Sequence, residues 1–211
     1  MLARAVDGAP TEGQRRQLRD ELSELNRRWL ATPSWTGGKT NATVQKGDTL
    51  DRIARRLGVT IELLRWSNGL TNDTIRPGMT LTVPVGPVEL EVDKSDNLLT
   101  VRLAGRFLLE YSVATGRDNC TPTGVFTIVD RVREPTWWRP SDGRPIPYGH
   151  PEHELGTHWL AWDLKGYGIH GTSRPETIGT QASLGCVRMR NEDVAEVFAL
   201  SPVGTRVTVR D

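Results

Sequence analysis

Tyr167-Gly-Ile-His-Gly-Thr172, followed by Ser183-Leu-Gly-Cys-Val-Arg-Met189, pairs one histidine with one cysteine, each beside a glycine. A thiol attacks carbonyl groups as its thiolate, so it needs a base or a cationic neighbour near neutral pH. Histidine is the usual partner because it changes charge closest to that pH. His170 is therefore the candidate base and Cys186 the candidate nucleophile, sixteen positions apart. Small neighbours let main-chain N–H groups come close to a substrate carbonyl. This makes the N–H groups of Gly185 and Cys186 candidates for an oxyanion hole. The residues alone leave a plainer reading open. A cysteine is often a buried small hydrophobe, and a histidine is often only hydrogen-bonded.

Outward from this pair the pattern is β-structure. Val88–Val92 alternates, Lys94–Asn97 turns, and Leu98–Leu103 returns as a hairpin partner. Phe107–Val113, Gly124–Val129, Trp159–Trp162 and Arg206–Val209 are further strand candidates. The stretch 133–157 is rich in Pro, Gly, Trp and His and is expected to be a long lid or binding loop. Asn191 is expected to cap a late helix that carries Val194, Val197 and Phe198 on one face.

The N-terminal side differs. Leu18, Leu22, Leu25 and Trp29 recur at helical spacing, with Thr11 as a candidate cap, and residues 32–40 have linker composition. From Thr43 a short strand runs into a helix start at Asp48 or Thr49. Leu50, Ile53, Ala54 and Leu57 form one apolar face, and Gly58 ends the helix. Thr60 caps a second helix closed by Asn68-Gly69, and Pro77-Gly78 turns into a return strand ending at Pro84. The result is a compact strand-helix-helix-strand unit.

The 211 residues are 36% hydrophobic and 25% charged, with Lys+Arg 27 against Asp+Glu 26 and a net charge of +1. That is a soluble, globular composition with no single-signed field to draw in nucleic acid or an anionic membrane. No apolar run is long enough to span a bilayer. Met1–Pro10 lacks the apolar stretch of a signal peptide, which leaves a cytoplasmic location, a trimmed export signal or another export route open. Two cysteines, Cys120 and Cys186, are too few for a disulfide framework. Cys120 is expected to be passive, and a bond from it to Cys186 would switch the nucleophile off. His150, His153 and His158 lie close in sequence, but His153-Glu-Leu-Gly-Thr-His158 has the wrong spacing for H-E-x-x-H, so no metal site is expected.

Two resemblances follow from these motifs. Val44-Gln-Lys-Gly-Asp-Thr-Leu50, Ile53-Ala54, Trp66-Ser-Asn68, Ile75-Arg-Pro-Gly78 and Leu81-Thr-Val-Pro84 resemble a LysM module. That implies binding of N-acetylglucosamine-containing glycan, with modest affinity from one copy. His170-Gly-Thr172, Ile178-Gly179, Ser183-x-Gly-Cys186-Val-Arg188-Met189 and Asn191-x-Asp193-Val194 resemble the L,D-transpeptidase (YkuD-type) signature. Thr115-Gly116, Thr121–Gly124, Leu155–Thr157 and Gly204–Val209 extend it. Leu184 stands where some members carry His or Lys.

The resemblance implies a mainly β chain with an α+β N-terminal module. An N-terminal helix and linker (1–40) would precede a LysM βααβ domain (42–85), then a β-sandwich-like catalytic domain (87–211). It implies peptidoglycan stem peptides as substrate, a thioester on Cys186, His170 as base and acid, and export to the cell wall or periplasm. It implies no metal or organic cofactor. Gly171 would orient the imidazole through its carbonyl, and Ser183 would hydrogen-bond near the pair. Arg188 would hold a substrate carboxylate or brace its loop, and Trp138 and Tyr148 are candidate cleft residues. An L,D-carboxypeptidase and an inactive wall-binding protein are the competing expectations. Protein partners are left open.

Overall fold

A computed structural model describes residues 11–34 and 37–211. The readings of Met1–Pro10 and of the Trp35-Thr36 part of the linker lie outside the described residues. The chain forms two compact units. One runs up to Val88 and includes Val101–Glu110. The other comprises Glu89–Thr100 and Tyr111–Asp211. The hairpin segment 101–110 thus groups with the N-terminal elements and not with the segment expected to be catalytic.

In the first unit, α1 (Glu12–Ala31) is capped by Thr11, whose side chain accepts from the Gln14 N–H. Its buried face is rotated from the expected leucine stripe. Leu25 is exposed, whereas Ser23 and Leu30 are buried. The reason is polar docking on β5 (Arg106–Ser112), the last strand of its sheet. Asn26 Nδ2 donates to Leu108 O at 2.7 Å, Ser23 Oγ accepts from Glu110 N at 3.3 Å, and Arg19 reaches Glu110 at 3.7 Å. Edge strands need such cover because their backbone groups otherwise recruit another chain. The Lys39 ammonium closes the helix C-terminus on the carbonyls of Trp29, Leu30 and Thr32, where a cation suits the helix dipole.

β1 (Lys39–Thr43) pairs antiparallel with β2 (Thr80–Pro84), so the strand precedes Thr43 instead of following it. Between them lie α2 (Leu50–Leu57) and α3 (Ile61–Asn68), capped by Thr49 and Thr60 and ended by left-handed Gly58 and Gly69 as their residue types require. Val44, Leu50, Ile53, Ala54, Leu64, Leu81 and Val83 form a core of their own. Fully burying a side chain of the Val/Leu/Ile class stabilises by about 1.5–3 kcal/mol. Asn68 staples α3 to β2, donating to Leu64 O and Thr82 O and accepting from Thr82 N.

The second unit is mainly β. β13 (Val187–Arg188), β11 (Gly168–His170), β10 (His158–Trp162), β7 (Gly124–Arg133), β14 (Arg206–Arg210) and β3 (Val88–Asp93) lie side by side in that order. The C-terminal strand β14 is parallel to β3 and antiparallel to β7. β4 (Leu98–Leu103), whose first residues belong to this unit, lies where the sequence predicts a strand. The stretch expected to be one loop holds a hairpin of β8 (Trp137–Trp138) and β9 (Pro145–Ile146). Two-residue strands are too short to show alternation in sequence. β6 (Thr115–Gly116) pairs with β12 (Gln181–Ser183). α4 (Asn191–Leu200) buries Val194, Val197, Phe198 and Leu200.

Candidate active site

The register of β11 and β13 builds the site. The two strands are parallel, with Ile169 opposite Val187 and His170 opposite Arg188. Facing residues in a ladder project to the same side, and alternate residues share a side. His170 and Arg188 therefore share one face, and Cys186 directly precedes β13, where the Gly168 N–H of β11 reaches its sulfur. The Arg188 backbone is pinned by reciprocal hydrogen bonds with Ala114, both at 2.8 Å.

His170 is buried, and its Nδ1 lies 2.6 Å from Gly171 O. A carbonyl only accepts, so Nδ1 carries the proton and Nε2 keeps its lone pair. Burial pushes the imidazole pKa down to about 4, with Arg188 and His153 adding to the effect against the Gly171 carbonyl. The ring is therefore neutral at physiological pH, as a base must be. Trp159, opposite His170 in β10, covers the ring at 5.9 Å between centroids.

The Cys186 thiol points its proton at Gly166 O, 3.5 Å away. Burial pushes its pKa up to about 11, opposed by the Gly168 N–H and the Arg188 charge. The expected activated thiol is thus a protonated thiol at rest. Both cysteines are free, and Cys120 is exposed.

Ser183 Oγ donates to Cys186 O at 2.6 Å and accepts from Gly185 N at 3.0 Å. It shapes the loop that leads to Cys186, and the Gly185 N–H is spent on it. Gly185 has φ +127, and a Cβ there would come within 2.8 Å of the Tyr167 ring, so glycine is required twice over. Tyr167, the first residue of the histidine motif, thereby walls the Gly185 turn.

Asn191 is a second residue that sequence reasoning misplaced. The N-cap of α4 is Arg190, with no side-chain cap, because the Asn191 amide is used elsewhere. It accepts from Thr157 N at 3.1 Å and Thr172 N at 3.2 Å and donates to Thr172 O at 3.0 Å. It thus locks the turn after His170. A Cβ on Gly171 would meet its Oδ1 at 2.2 Å.

The other candidates fall on the 133–157 segment. Trp138 and Tyr148 are exposed, Tyr148 standing edge-on to His153 at 5.8 Å. The three neighbouring histidines go separate ways. His153 Nε2 lies on Pro135 O, His158 Nδ1 on Thr157 Oγ1, and His150 Nδ1 accepts from Glu152 N. Among the described residues no group of three or more His, Cys, Asp or Glu is placed to hold a metal ion. Among the same residues no helix is long and apolar enough to cross a membrane.

Residues 87–209 match the L,D-transpeptidase catalytic domain (YkuD), and residues 42–84 match the LysM domain. The YkuD L,D-transpeptidase named in Bacillus subtilis (strain 168) is 34% identical over 173 residues, covering 79% of this chain and 96% of the relative. A second one from that organism, YqjB, is 40% identical over 126 residues, covering 57% of this chain and 69% of the relative. An L,D-transpeptidase structure from Mycobacterium smegmatis superposes with a TM-score of 0.51 at 22% identity, over 64% of each chain, which is a likeness of fold. Fold and motifs together define a cell-wall enzyme class in which a LysM module precedes a YkuD-type domain. The chain belongs to the L,D-transpeptidase (YkuD) family.

Proposed function

We propose that this protein cross-links peptidoglycan stem peptides through a thioester on Cys186, while its LysM module holds the glycan. The observation that carries the reading is the placement of Cys186 at the head of β13, beside β11, the strand that ends in His170, with the imidazole fixed as the Nδ1–H tautomer by Gly171 O. The peptidoglycan substrate comes from the family.

His170 Nε2 takes the thiol proton as sulfur attacks the carbonyl between the L-centre of the diamino acid and the terminal D-alanine. General-base deprotonation suits a thiol that is protonated at rest. The Cys186 N–H stabilises the oxyanion, since Gly185 N–H is engaged by Ser183. Collapse breaks the amide bond, and the imidazolium gives its proton to the departing D-alanine amine. An amine of a neighbouring stem then attacks the thioester and loses its proton to His170, which returns it to the leaving sulfur. Trp138 and Tyr148 line the approach, and the work takes place outside the cytoplasm, in the cell wall or periplasm.

The test is incubation with tetrapeptide muropeptides followed by mass analysis. Cross-linked dimers with released D-alanine are expected, and Cys186→Ala should abolish them while Cys120→Ser retains them. Tripeptides alone would replace transpeptidation by hydrolysis, with water as the acceptor. Activity surviving in Cys186→Ala would remove the assigned nucleophile.

A further inference from the structure

The chemistry above leaves the charge of Arg188 unused. Its side chain is 6% exposed, and among the described residues its Nε and Nη1 meet no hydrogen-bond acceptor. A buried guanidinium with unanswered donors is costly, and it calls for an anion. The carboxylate at hand is Glu154, whose Oε2 stands 3.8 Å from Arg188 Nη2. That is an ion pair beyond hydrogen-bond length. Glu154 is held instead by Arg174, Nη2 to Oε1 at 3.0 Å. Arg174 and Arg117 both act on Arg188 as like charges, and Glu154 is the carboxylate that opposes them. Positive charge therefore exceeds negative charge beside the nucleophile.

The position of this surplus is specific. Arg188 faces His170 across the ladder and lies two residues beyond Cys186, on whose sulfur its charge acts. Cα atoms two residues apart are at most about 7 Å from each other. In a donor stem, the terminal D-alanine carboxylate is one Cα from the amine that is expelled. A carbonyl seated at Cys186 thus brings that carboxylate within reach of the guanidinium. Nη2, the nitrogen facing Glu154, belongs to either bidentate edge of an arginine fork, so Glu154 must yield before a carboxylate can seat with both oxygens.

We propose that Arg188, flanked by Arg174, is the subsite for the terminal carboxylate of the donor stem, and that Glu154 is a resident carboxylate which the donor displaces. This rests on the reading of the donor as a stem peptide. Arg174 acts as a positioning residue by drawing Glu154 off Arg188. The 133–157 segment, through Glu154, therefore sets donor selectivity by charge.

The experiment compares steady-state kinetics for a tetrapeptide donor and the same donor ending in D-alaninamide, using the full chain. The amide should raise KM about tenfold or more, the scale of one lost charge-assisted hydrogen bond. Glu154→Gln removes the competing charge and should widen the KM ratio between amide and acid. Arg174→Gln releases Glu154 onto Arg188 and should narrow it. Both positions are partly exposed, at 34% and 44%, so neither substitution empties a core site. A purely structural role would move the two variants in the same direction. Equal KM for the two donors, or variants that shift the ratio together, would overturn the subsite. Turnover of neither donor overturns the stem-peptide reading and the subsite with it.

Discussion

At the scale of residues, the site rests on two burial effects of opposite sign. Burial disfavours the charged form, so it raises the Cys186 thiol to about 11 and lowers the His170 imidazole to about 4. Between those values both groups are neutral, and the pair is thiol and imidazole rather than thiolate and imidazolium. Below its pKa the thiolate fraction grows about tenfold per pH unit. In a Cys120→Ser background, the rate of Cys186 alkylation by iodoacetamide should therefore climb steadily from about pH 7 to about pH 10. A rate that is already flat between about pH 5 and pH 8 would show a preformed ion pair and sink this account. Cys186 and His170 stand out in the sequence because the chemistry proposed for them is a property of residue type. Whether the thiol is charged at rest depends on burial, which residue type does not encode. Asn191 shows the same limit. A residue that looks like a helix cap is drawn away by Thr157 and Thr172, neighbours that only the fold supplies.

Elements were readable where periodicity was long. The helices of the LysM module appeared with their caps, and the strands β3, β4 and β10 appeared within a residue or two. Short strands that pair with distant partners did not appear, and β11 with β13 builds the site. The face of α1 was misjudged for a related reason. Its leucine spacing signals burial, yet the contacts that orient it are polar and run to β5. This predicts that the double variant Ser23→Ala/Asn26→Ala loses about 2 kcal/mol, from two hydrogen bonds at about 1 kcal/mol each. It should melt several degrees lower while keeping wild-type kcat, since neither residue is in the site. Unchanged melting in differential scanning fluorimetry would mean that α1 docks by its leucines after all.

At the scale of the molecule, the chain carries a LysM module with a self-contained core and a catalytic domain whose substrate is a polymer. With a net charge of +1, electrostatic attraction to anionic wall polymers is weak, so the proposed hold on the wall would come from specific contacts. One module supplies no avidity of its own, and an affinity between about millimolar and micromolar corresponds to about −4 to −8 kcal/mol. Such a hold suits an enzyme that must release one strand to reach the next. The Cys186→Ala protein, unable to acylate, should therefore pellet with purified peptidoglycan. Soluble N-acetylglucosamine oligomers should release it, and added salt should leave it bound. Salt-sensitive pelleting that ignores the sugar would assign retention to surface charge and leave the LysM module without its glycan. Release by sugar would also explain the order of the chain's parts. On the proposed function the module would then engage the glycan while the catalytic domain samples the stem peptides that the glycan presents.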